Sequence, residues 1–257
     1  MEQIVVVPQR RRRPARPSLS VGIADSAEVI RAAQELRYRI FAGEMGANLP
    51  TSVPGVDIDA YDPFCRHLVV QDETSGEVVG TYRILTPESA RDIGYYSEGE
   101  FDLTRLQPLR PSLVEIGRSC VHPDHRSGAT ITLLWAGLAR FMRSHGYEYL
   151  MGCASVSMAD GGHHAASLYT ALTSGSASQL SPAEYKVFPR LPLPLEALRQ
   201  DLPVEAPPLI KGYLRAGAWV CGEPAWDPDF NTADLPILLT MARVSDRYAR
   251  HFLGQGC

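Results

Sequence analysis

The hydrophobic pattern between residues 113 and 146 changes from strand-like to helix-like spacing. Val114 and Ile116 fall on one face of the first part, and Leu113 and Glu115 fall on the other, as in a strand. The second part repeats apolar residues every three or four positions, as in an amphipathic helix: Ile131, Leu134, Trp135, Leu138 and Met142. The turn between them contains Pro123, Asp124, Ser127 and Gly128. The pattern predicts a strand, a tight loop and a helix whose N-terminal amides and dipole favour a phosphate.

Other segments predict the remaining elements of one sheet. Strands are expected at residues 19–24, 66–71, 78–85, 149–156, 218–222 and 235–242. Helices are expected at residues 164–173, 208–216 and 245–252, and after a cap at Asp25 with Glu28 three positions later. The 149–156 strand follows the central helix, so it should run parallel to the strand that carries Glu115. The pattern indicates an α/β fold with one mixed sheet and helices on both faces, forming a single domain over residues 18–257.

The first helix and the loop after it carry candidate binding residues. Arg37 and Phe41 lie one turn apart beside the apolar stripe of this helix and are expected to point beyond the core. Residues 43–63 are rich in Gly, Pro and Asp and predict a long loop of the kind that forms lids or binding sites. Residues 174–208 are rich in Pro and Ser and are expected to be irregular.

Glu115 and Arg118 form the first constellation with candidate chemistry. Their spacing would place them on opposite faces of a regular strand, but Gly117 between them indicates a bulge that brings both to one side. One interpretation is an ion pair on the sheet surface. The other is a carboxylate held by a guanidinium inside a cleft, where it acts on a substrate amine.

Composition limits the class of protein. The chain has 257 residues, of which 45% are hydrophobic, enough for a normal core. Its five cysteines are scattered without a CxxC pair, which favours reduced thiols in a cytosol over a disulfide framework. His163 and His164 have no partner at metal-ligand spacing, so no metal site is expected. No apolar run reaches the roughly 20 residues that span a bilayer, and no signal peptide is recognised.

The formal net charge of −4 is unevenly distributed. Residues 1–17 hold five arginines and one glutamate, about +4, so the remainder carries about −8. An arginine cluster flanked by prolines predicts a disordered arm. Charge alone does not distinguish a solvated tail from an arm that attracts an acidic protein, anionic lipid or nucleic acid. For the protein as a whole we expect no nucleic-acid partner and favour peripheral contact with the membrane.

Four short motifs resemble the GNAT acyltransferase superfamily, and within it the branch of acyl-homoserine-lactone synthases and bacterial ornithine Nα-acyltransferases. The motifs are RxxxF as Arg37 and Phe41, DxxD as Asp59 and Asp62, Arg83 in GTYRIL, and ExxR as Glu115 and Arg118. Three longer phrases resemble the ornithine acyltransferases specifically: EIGRSCVHPDHRSGATITLLWAGLARF, YLMGCASV and GYLRAGAWVCGEPAWDPDFNTADLPILL. Autoinducer synthases are typically shorter and lack this C-terminal extension.

The resemblance implies a three-layer α-β-α sandwich in which a splayed central strand pair admits the pantetheine arm of a thioester donor. The general base would be Glu115, acting directly or through a water. The substrate-binding residues would be Arg37, Phe41, Asp59, Asp62, Arg83, Arg118 and Ser155. The residues that bind the pantetheine of the donor would be Cys120, Val121, Arg126, Ser127, Gly128, Ala129 and Thr130.

Asp59 and Asp62 have two candidate roles. They could bind ammonium groups of an amino-acid substrate, or they could hold the long loop against Arg37 and Arg83. We favour the second role because opposite charges usually stabilise each other before they contact a ligand. The cysteines at 120 and 153 are expected to be small buried residues, because direct acyl transfer needs no acyl-enzyme.

The loop at 126–130 bears on the identity of the donor. Relatives that use acetyl-CoA carry a Q/RxxGxG/A loop, whereas here Ala129 lies three residues after Arg126 and Ile131 lies two further on. Coenzyme A brings a pyrophosphate and a 3′-phosphate, but acyl carrier protein brings a single phosphodiester. A reduced phosphate cradle favours acyl carrier protein as the donor, with acyl-CoA as an alternative.

The residues and the resemblance together predict an N-acyltransferase with no bound cofactor. It would move a long-chain, 3-hydroxylated acyl group from acyl carrier protein to the α-amine of ornithine, giving a lyso-ornithine lipid. One alternative is a synthase of another N-acyl amino acid or of an acyl-homoserine lactone. Another is a non-catalytic module that binds acyl carrier protein or lipid on the same scaffold.

Deleting residues 1–17 tests the expected membrane contact. The positive arm should strengthen binding to vesicles that contain anionic lipid, so the truncated protein should co-sediment less with them than the full chain. The difference should shrink as salt is added, because salt screens the attraction. Equal co-sedimentation of the two proteins at low salt would contradict a role for the arm.

Overall fold

A computed structural model of the protein describes residues 18–174 and 178–244. The strands are β1 (Leu19–Ile23), β2 (Arg66–Asp72), β3 (Val78–Leu85), β4 (Phe101–Asp102), β5 (Leu113–Val121), β6 (Tyr149–Ser157), β7 (Phe188–Pro189), β8 (Trp219–Val220), β9 (Ala225–Asp227) and β10 (Thr232–Thr240). The α-helices are α1 (Ala27–Tyr38), α2 (Pro87–Ile93), α3 (Ala129–His145), α4 (His163–Thr173) and α5 (Pro208–Ala216). The arm at 1–17 and the helix expected at 245–252 lie outside the described residues.

The strand order of the main sheet is β1-β2-β3-β5-β6-β10-β8, and β9 also pairs with β10, in antiparallel orientation. Its first four strands are antiparallel neighbours, and the junction between β5 and β6 is parallel. The parallel junction is the one predicted from the helix that connects these strands. Strands β10 and β6 then run antiparallel. The result is one mixed sheet, as expected from the hydrophobic pattern.

Both faces of the sheet are covered by apolar layers. Strand β5 shows why, because Val114 and Ile116 pack into the core beneath α3 while Leu113 packs into a separate core on the opposite face. Helix α3 contacts β1, β2 and β3, and helix α1 contacts β2, β3 and β5. Because successive side chains of a strand point to opposite faces of the sheet, one strand can contribute residues to both cores.

The start of the fold differs from the prediction in three local respects. Ser26, not Asp25, caps α1, and its side chain accepts a hydrogen bond from the Val29 amide. After α1 the chain continues as a π-helix over Arg39–Glu44, which shifts Phe41 away from regular α-helical spacing. Helix α2, capped by Thr86, was not predicted because its seven residues are too few to show a helical period.

Strand β5 carries the predicted bulge, but the unusual backbone conformation falls on Arg118. Arg83 of β3 faces Gly117, and Thr81 faces Cys120, so β5 has one extra residue between these pairs. Arg118 has φ of 50°, in the left-handed region that costs a non-glycine residue about 1–2 kcal/mol. The bulge follows shortly after Glu115, the last residue of β5 that pairs with β6.

Strands β5 and β6 separate after three paired positions. Their parallel ladder runs only from Leu113 and Tyr149 to Glu115 and Met151. Gly152 follows at the point of separation, and a side chain there would run into the Ile116 carbonyl.

Among the described residues, no helix combines the length and apolar character that crossing a bilayer requires.

Replacing Gly212 of α5 by alanine should destabilise the fold. The added Cβ would fall within the Trp135 ring of α3, so the two helices would have to move apart. Overpacking of this kind costs about 1–3 kcal/mol, more than the gain in helix propensity from alanine. Urea unfolding measures the change, with Gly99→Ala as the control because a Cβ at Gly99 meets nothing within 4 Å. Equal free energies of unfolding for the two variants would contradict the close packing of α3 and α5.

Candidate active site

A cavity of about 240 Å³ lies where β5 and β6 separate. Its apolar walls belong to the core beneath α3 and α5: Tyr82, Ile116, Leu150, Leu209, Tyr213, Ile237 and Leu239. Its polar walls lie toward the other face: Arg83, Tyr96, Ser97, Glu100, Glu115, Arg118, Cys153, Ser155, Asp227 and Asp234. Because the lining comes from both faces, the cavity passes through the gap between the strands. An extended apolar chain and a polar reactive group can therefore occupy one continuous space.

Glu115 lies at the last paired position before the gap and is only 5% exposed. Its Oε2 accepts a hydrogen bond from the Tyr96 amide at 2.7 Å. Its Oε1 accepts from the Ser97 amide at 2.8 Å and from the Ser97 hydroxyl at 2.5 Å. Burial raises the pKa of Glu115, and the hydrogen bonds from Ser97 and Tyr96 oppose that rise in part. The result is a fixed carboxylate of increased basicity that lines the cavity.

Ser97 is a site residue that sequence reasoning did not identify. It lies in a short 3₁₀ turn, Tyr96–Gly99, and its hydroxyl is also 3.3 Å from the Cys153 Sγ. The turn follows α2, and the side chain of Glu98 accepts from the Tyr95 amide to close a capping box. The acidic and aromatic composition around Tyr95 is the local feature of the sequence that could have indicated this segment. The hydroxyl connects Glu115 to the opposite wall of the cavity.

Six charged side chains form what we name the arginine–aspartate cluster: Arg37, Arg83, Arg118, Asp57, Asp59 and Asp62. Arg37 donates to Asp57 at 2.7 Å and to Asp62 at 3.0 Å. Arg83 donates to Asp59 at 2.6 Å and to Asp62 at 3.0 Å. These contacts fasten the long loop to α1 and β3.

The cluster also reaches the bulge, because Arg118 donates to Asp59 at 3.2 Å. Burial alone would raise the pKa of Asp62, but the hydrogen bond and charge of Arg37 outweigh it and lower the pKa. Each aspartate of the cluster is paired with an arginine, and for Asp59 and Asp62 this is the arrangement favoured from the sequence. Asp57 lies outside the DxxD motif and was not predicted.

Arg37 differs from its predicted position. Its side chain is fully buried, whereas the helical pattern placed it beyond the core. The loop residues Asp57 and Asp62 enclose its guanidinium, which a pattern along the helix alone does not show. Arg37, Asp59 and Asp62 are also absent from the cavity lining, whereas Phe41, Arg83 and the other predicted substrate residues, Arg118 and Ser155, contribute to it.

Aromatic rings surround the guanidinium groups at the cavity. The Arg118 guanidinium carbon lies 4.6 Å from the ring centre of Phe230 and 5.0 Å from that of Tyr96. Phe41 packs edge-on against Phe230, with ring centres 5.7 Å apart. These contacts add cation–π attraction to the ion pairs that Arg118 forms with Asp57 and Asp59.

The predicted donor loop lies at the start of α3 and outside the cavity lining. Gly128 has φ of 95° and precedes the helix without a side-chain cap. Arg126 is held by Glu44 at 2.7 Å and by the Val121 carbonyl at 3.1 Å, and Thr130 donates to the His125 carbonyl. The other predicted residues of this region are placed as follows: Cys120 is buried and pairs with Thr81, Val121 pairs with Gly80, and Ser127 and Ala129 are exposed.

A second acidic group was not predicted. Glu100, Cys153 and Asp234 place their side-chain ligand atoms within 4.8 Å of one another, an arrangement that could hold a cation. Burial and the neighbouring Asp234 raise the pKa of Glu100 to about 9. Burial also raises the pKa of the Cys153 thiol well above its ordinary value. Because Glu100, Cys153 and Asp234 are far apart in the sequence, no local sequence pattern indicates that they meet.

The splayed strand pair, the through-sheet cavity and the buried carboxylate define a GNAT-type acyltransferase. Residues 36–136 match the family described as Acetyltransferase (GNAT) domain. The acyl-homoserine-lactone synthase LasI has the same fold, with a TM-score of 0.53 at 14% identity over 93% of this chain and 96% of that chain. The CoA-dependent acyl-homoserine lactone synthase BjaI, solved with SAM and isopentyl-CoA, has a TM-score of 0.51 at 15% identity over 88% and 80%. The predicted fold is confirmed.

Sequence comparison places the chain more narrowly. It is 38% identical over 251 residues to an L-ornithine N(alpha)-acyltransferase of Brucella abortus, covering 91% of this chain and 89% of the relative. It is 38% identical over 258 residues to one of Rhodobacter capsulatus, covering 93% and 98%. The chain belongs to the L-ornithine N(alpha)-acyltransferase family, which confirms the resemblance seen in its motifs.

The variant Arg37→Gln tests the cluster. Removing one partner of a buried ion pair costs about 3–5 kcal/mol, so the free energy of unfolding at pH 7 should fall by that amount. The loss should stay nearly complete down to the ordinary aspartate pKa of about 4 and narrow only as the pH falls further toward the lowered pKa of folded Asp62, because Asp62 stabilises the fold until it is protonated there. Urea titrations at pH 7 and at about pH 2.5 measure both effects.

Arg31→Gln is the matched control on the same helix. Arg31 pairs with Glu35 at the surface, with 46% and 49% of the two side chains exposed. Such pairs contribute about 0.5 kcal/mol or less. Equal losses in the two variants would show that Arg37 does not support the fold through its buried partners.

Proposed function

We propose that this protein transfers a long-chain, 3-hydroxylated acyl group from acyl carrier protein to the α-amine of ornithine, forming a lyso-ornithine lipid. The observation that carries the chemistry is the position of Glu115, buried and hydrogen-bonded at the point where β5 and β6 open. Membership in a family named for ornithine acylation supports the acceptor.

The gap between β5 and β6 is suited to a pantetheine arm. Beyond Glu115, the edge of β5 that faces β6 has no ladder partner over residues 116–121 in the part of the chain that the structure describes. Its amides and carbonyls can pair with the amide groups of the arm in the manner of an added strand. The thioester carbonyl would then lie near Glu115, and a free amide of this edge could donate to the oxyanion.

Glu115 would remove the proton that the attacking amine must lose. The α-amine attacks the thioester carbonyl, its proton passes to Glu115 directly or through the Ser97 hydroxyl, and the C–S bond breaks. The proton then goes to the departing thiolate, which restores the carboxylate. A raised pKa brings the basicity of Glu115 closer to neutral pH, where a general base is most effective.

Two features support acyl carrier protein over coenzyme A as the donor. The loop at 126–130 lacks the glycine pattern of a pyrophosphate cradle. In addition, Arg126 is already engaged by Glu44 and by the Val121 carbonyl. The amides of Gly128 and the first turn of α3 remain suited to one phosphodiester.

The product would carry one long acyl chain and a charged head group. Such an amphiphile partitions into membranes, so we propose that the protein works at a membrane surface without spanning it. The basic arm at 1–17 would add electrostatic attraction to anionic lipid.

Incubation with amino acids and two donors tests the reaction. Matched 3-hydroxyacyl carrier protein and 3-hydroxyacyl-CoA are each supplied with ornithine, glutamine, glycine, tyrosine and S-adenosylmethionine, and products are identified by mass. We expect N-acyl ornithine, formed more efficiently from the carrier-protein donor. Another N-acyl amino acid, a homoserine lactone or no thioester consumption would contradict the proposed function, and faster turnover of the CoA donor would contradict the donor assignment.

Glu115→Gln tests the proposed base. Loss of general base catalysis should lower kcat/KM about 100- to 10,000-fold. In the wild type, kcat/KM should fall as the pH drops through a pKa above the ordinary glutamate value, because protonated Glu115 cannot accept the amine proton. Glu148→Gln, at an exposed glutamate, is the control. Turnover by the Glu115→Gln variant equal to that of the control would remove Glu115 from the mechanism.

A further inference from the structure

Glu100 and Asp234, which we name the carboxyl pair, face the cavity from two separate elements. Glu100 immediately precedes β4, and Asp234 lies on β10, opposite Ser155 of β6. Cys153, also on β6, lies between the pair and Ser97. The pair therefore belongs to the wall across the cavity from Glu115.

The carboxyl pair has no cationic partner among residues 18–174 and 178–244. Neither residue forms a salt bridge in that part of the chain, whereas Asp57, Asp59 and Asp62 are all paired with arginines. In that part of the chain the Glu100 Oε2 is buried without a hydrogen-bond partner, although the Glu100 side chain also hydrogen-bonds with Asp234 and Cys153. Asp234 is 4% exposed and hydrogen-bonds with Thr232, Ser155 and Glu100. Two neighbouring buried carboxyls cannot both ionise at low cost without a positive charge, so a cation that arrives with a ligand would stabilise both.

We infer that the carboxyl pair binds the side-chain ammonium of the amino-acid acceptor and thereby selects a basic amino acid. This inference rests on the proposed function and adds to it the residues that would recognise the side chain of the acceptor. An ammonium has three donors and can bridge both carboxyl groups. It would donate to the Glu100 Oε2, which has no hydrogen-bond partner among the described residues.

The distances are compatible with one acceptor molecule reaching both walls. The Ser97 hydroxyl lies 2.5 Å from Glu115 and 3.3 Å from the Cys153 Sγ, and that sulfur lies within 4.8 Å of the carboxyl pair. The two nitrogens of an extended ornithine are about 6 Å apart with ordinary bond lengths. An α-amine beside Ser97 and Glu115 can therefore be accompanied by a side-chain ammonium at the pair.

The chemistry of the pair also suits an ammonium. Burial and the neighbouring Asp234 raise the pKa of Glu100 to about 9, and burial raises the pKa of Asp234, so an arriving positive charge would favour the ionised forms of both carboxyls. A metal ion would require two carboxyls and the Cys153 thiol to lose their protons, whereas an ammonium needs only carboxyl oxygens that accept its hydrogen bonds. The donor set therefore fits an ammonium better than a metal.

The variants Glu100→Gln and Asp234→Asn test the inference with two acceptors. L-norvaline has the carbon skeleton of ornithine but no side-chain amine. Each variant should lower kcat/KM for ornithine about 10- to 100-fold, as expected for the loss of a hydrogen bond to a charged group. The kcat/KM values for norvaline should change less than about 3-fold. Calorimetric titration with the two amino acids should show the same difference in affinity.

Matched controls remove exposed carboxylates: Glu223→Gln and Asp229→Asn. Both should keep the wild-type preference for ornithine. Equal losses for ornithine and norvaline in the pair variants, or an unchanged preference, would overturn the inference. So would a preference that disappears with EDTA and returns with Zn²⁺, because the pair would then hold a metal ion.

The two proposals fail separately in this experiment. If the wild type does not acylate ornithine, the proposed function is wrong. If the wild type acylates ornithine and the pair variants retain its preference over norvaline, only the role of the carboxyl pair is wrong. Thermal unfolding of every variant identifies any that lose activity through loss of structure.

Discussion

The separation of β5 from β6 after Glu115 is the constraint on which the site depends. A continuous parallel ladder would seal the sheet and leave Glu115 without a cavity. The bulge at Arg118 turns β5 away, and the close approach of Gly152 to Ile116 marks the last point of contact. Backbone groups that would otherwise pair between strands become available to a substrate arm, and the core on one face connects with the polar groups on the other.

The arginine–aspartate cluster is what keeps this opening in place. Arg118 adopts a left-handed conformation that a non-glycine residue does not favour, and it is held there by Asp59 and by the rings of Tyr96 and Phe230. Asp59 in turn is fixed by Arg83 on the neighbouring strand. The motif residues thus divide by position: some enclose the bulge and the long loop, while Glu115 and its neighbours line the cavity.

Local patterns predicted the scaffold well because each element carries its own period. The β5–α3–β6 unit, the parallel junction and the bulge follow from residues close together in sequence. The site was predicted less completely. Ser97 lies in one short 3₁₀ turn and Glu100 directly follows it, whereas Asp234 lies on β10, and nothing in the sequence near the turn indicates Asp234. Arg37 was misplaced for the same reason, because its partners lie on a loop some twenty residues further along the chain. Contacts between residues that only tertiary structure brings together cannot be predicted from the periodicity of the sequence.

A crystal structure with ornithine and a non-hydrolysable acyl-pantetheine analogue tests the central claim most directly. We expect the pantetheine to lie between β5 and β6, with the α-nitrogen of ornithine within hydrogen-bond distance of Ser97 or Glu115. Pantetheine bound elsewhere on the protein, with β5 and β6 closed over Glu115, would contradict it.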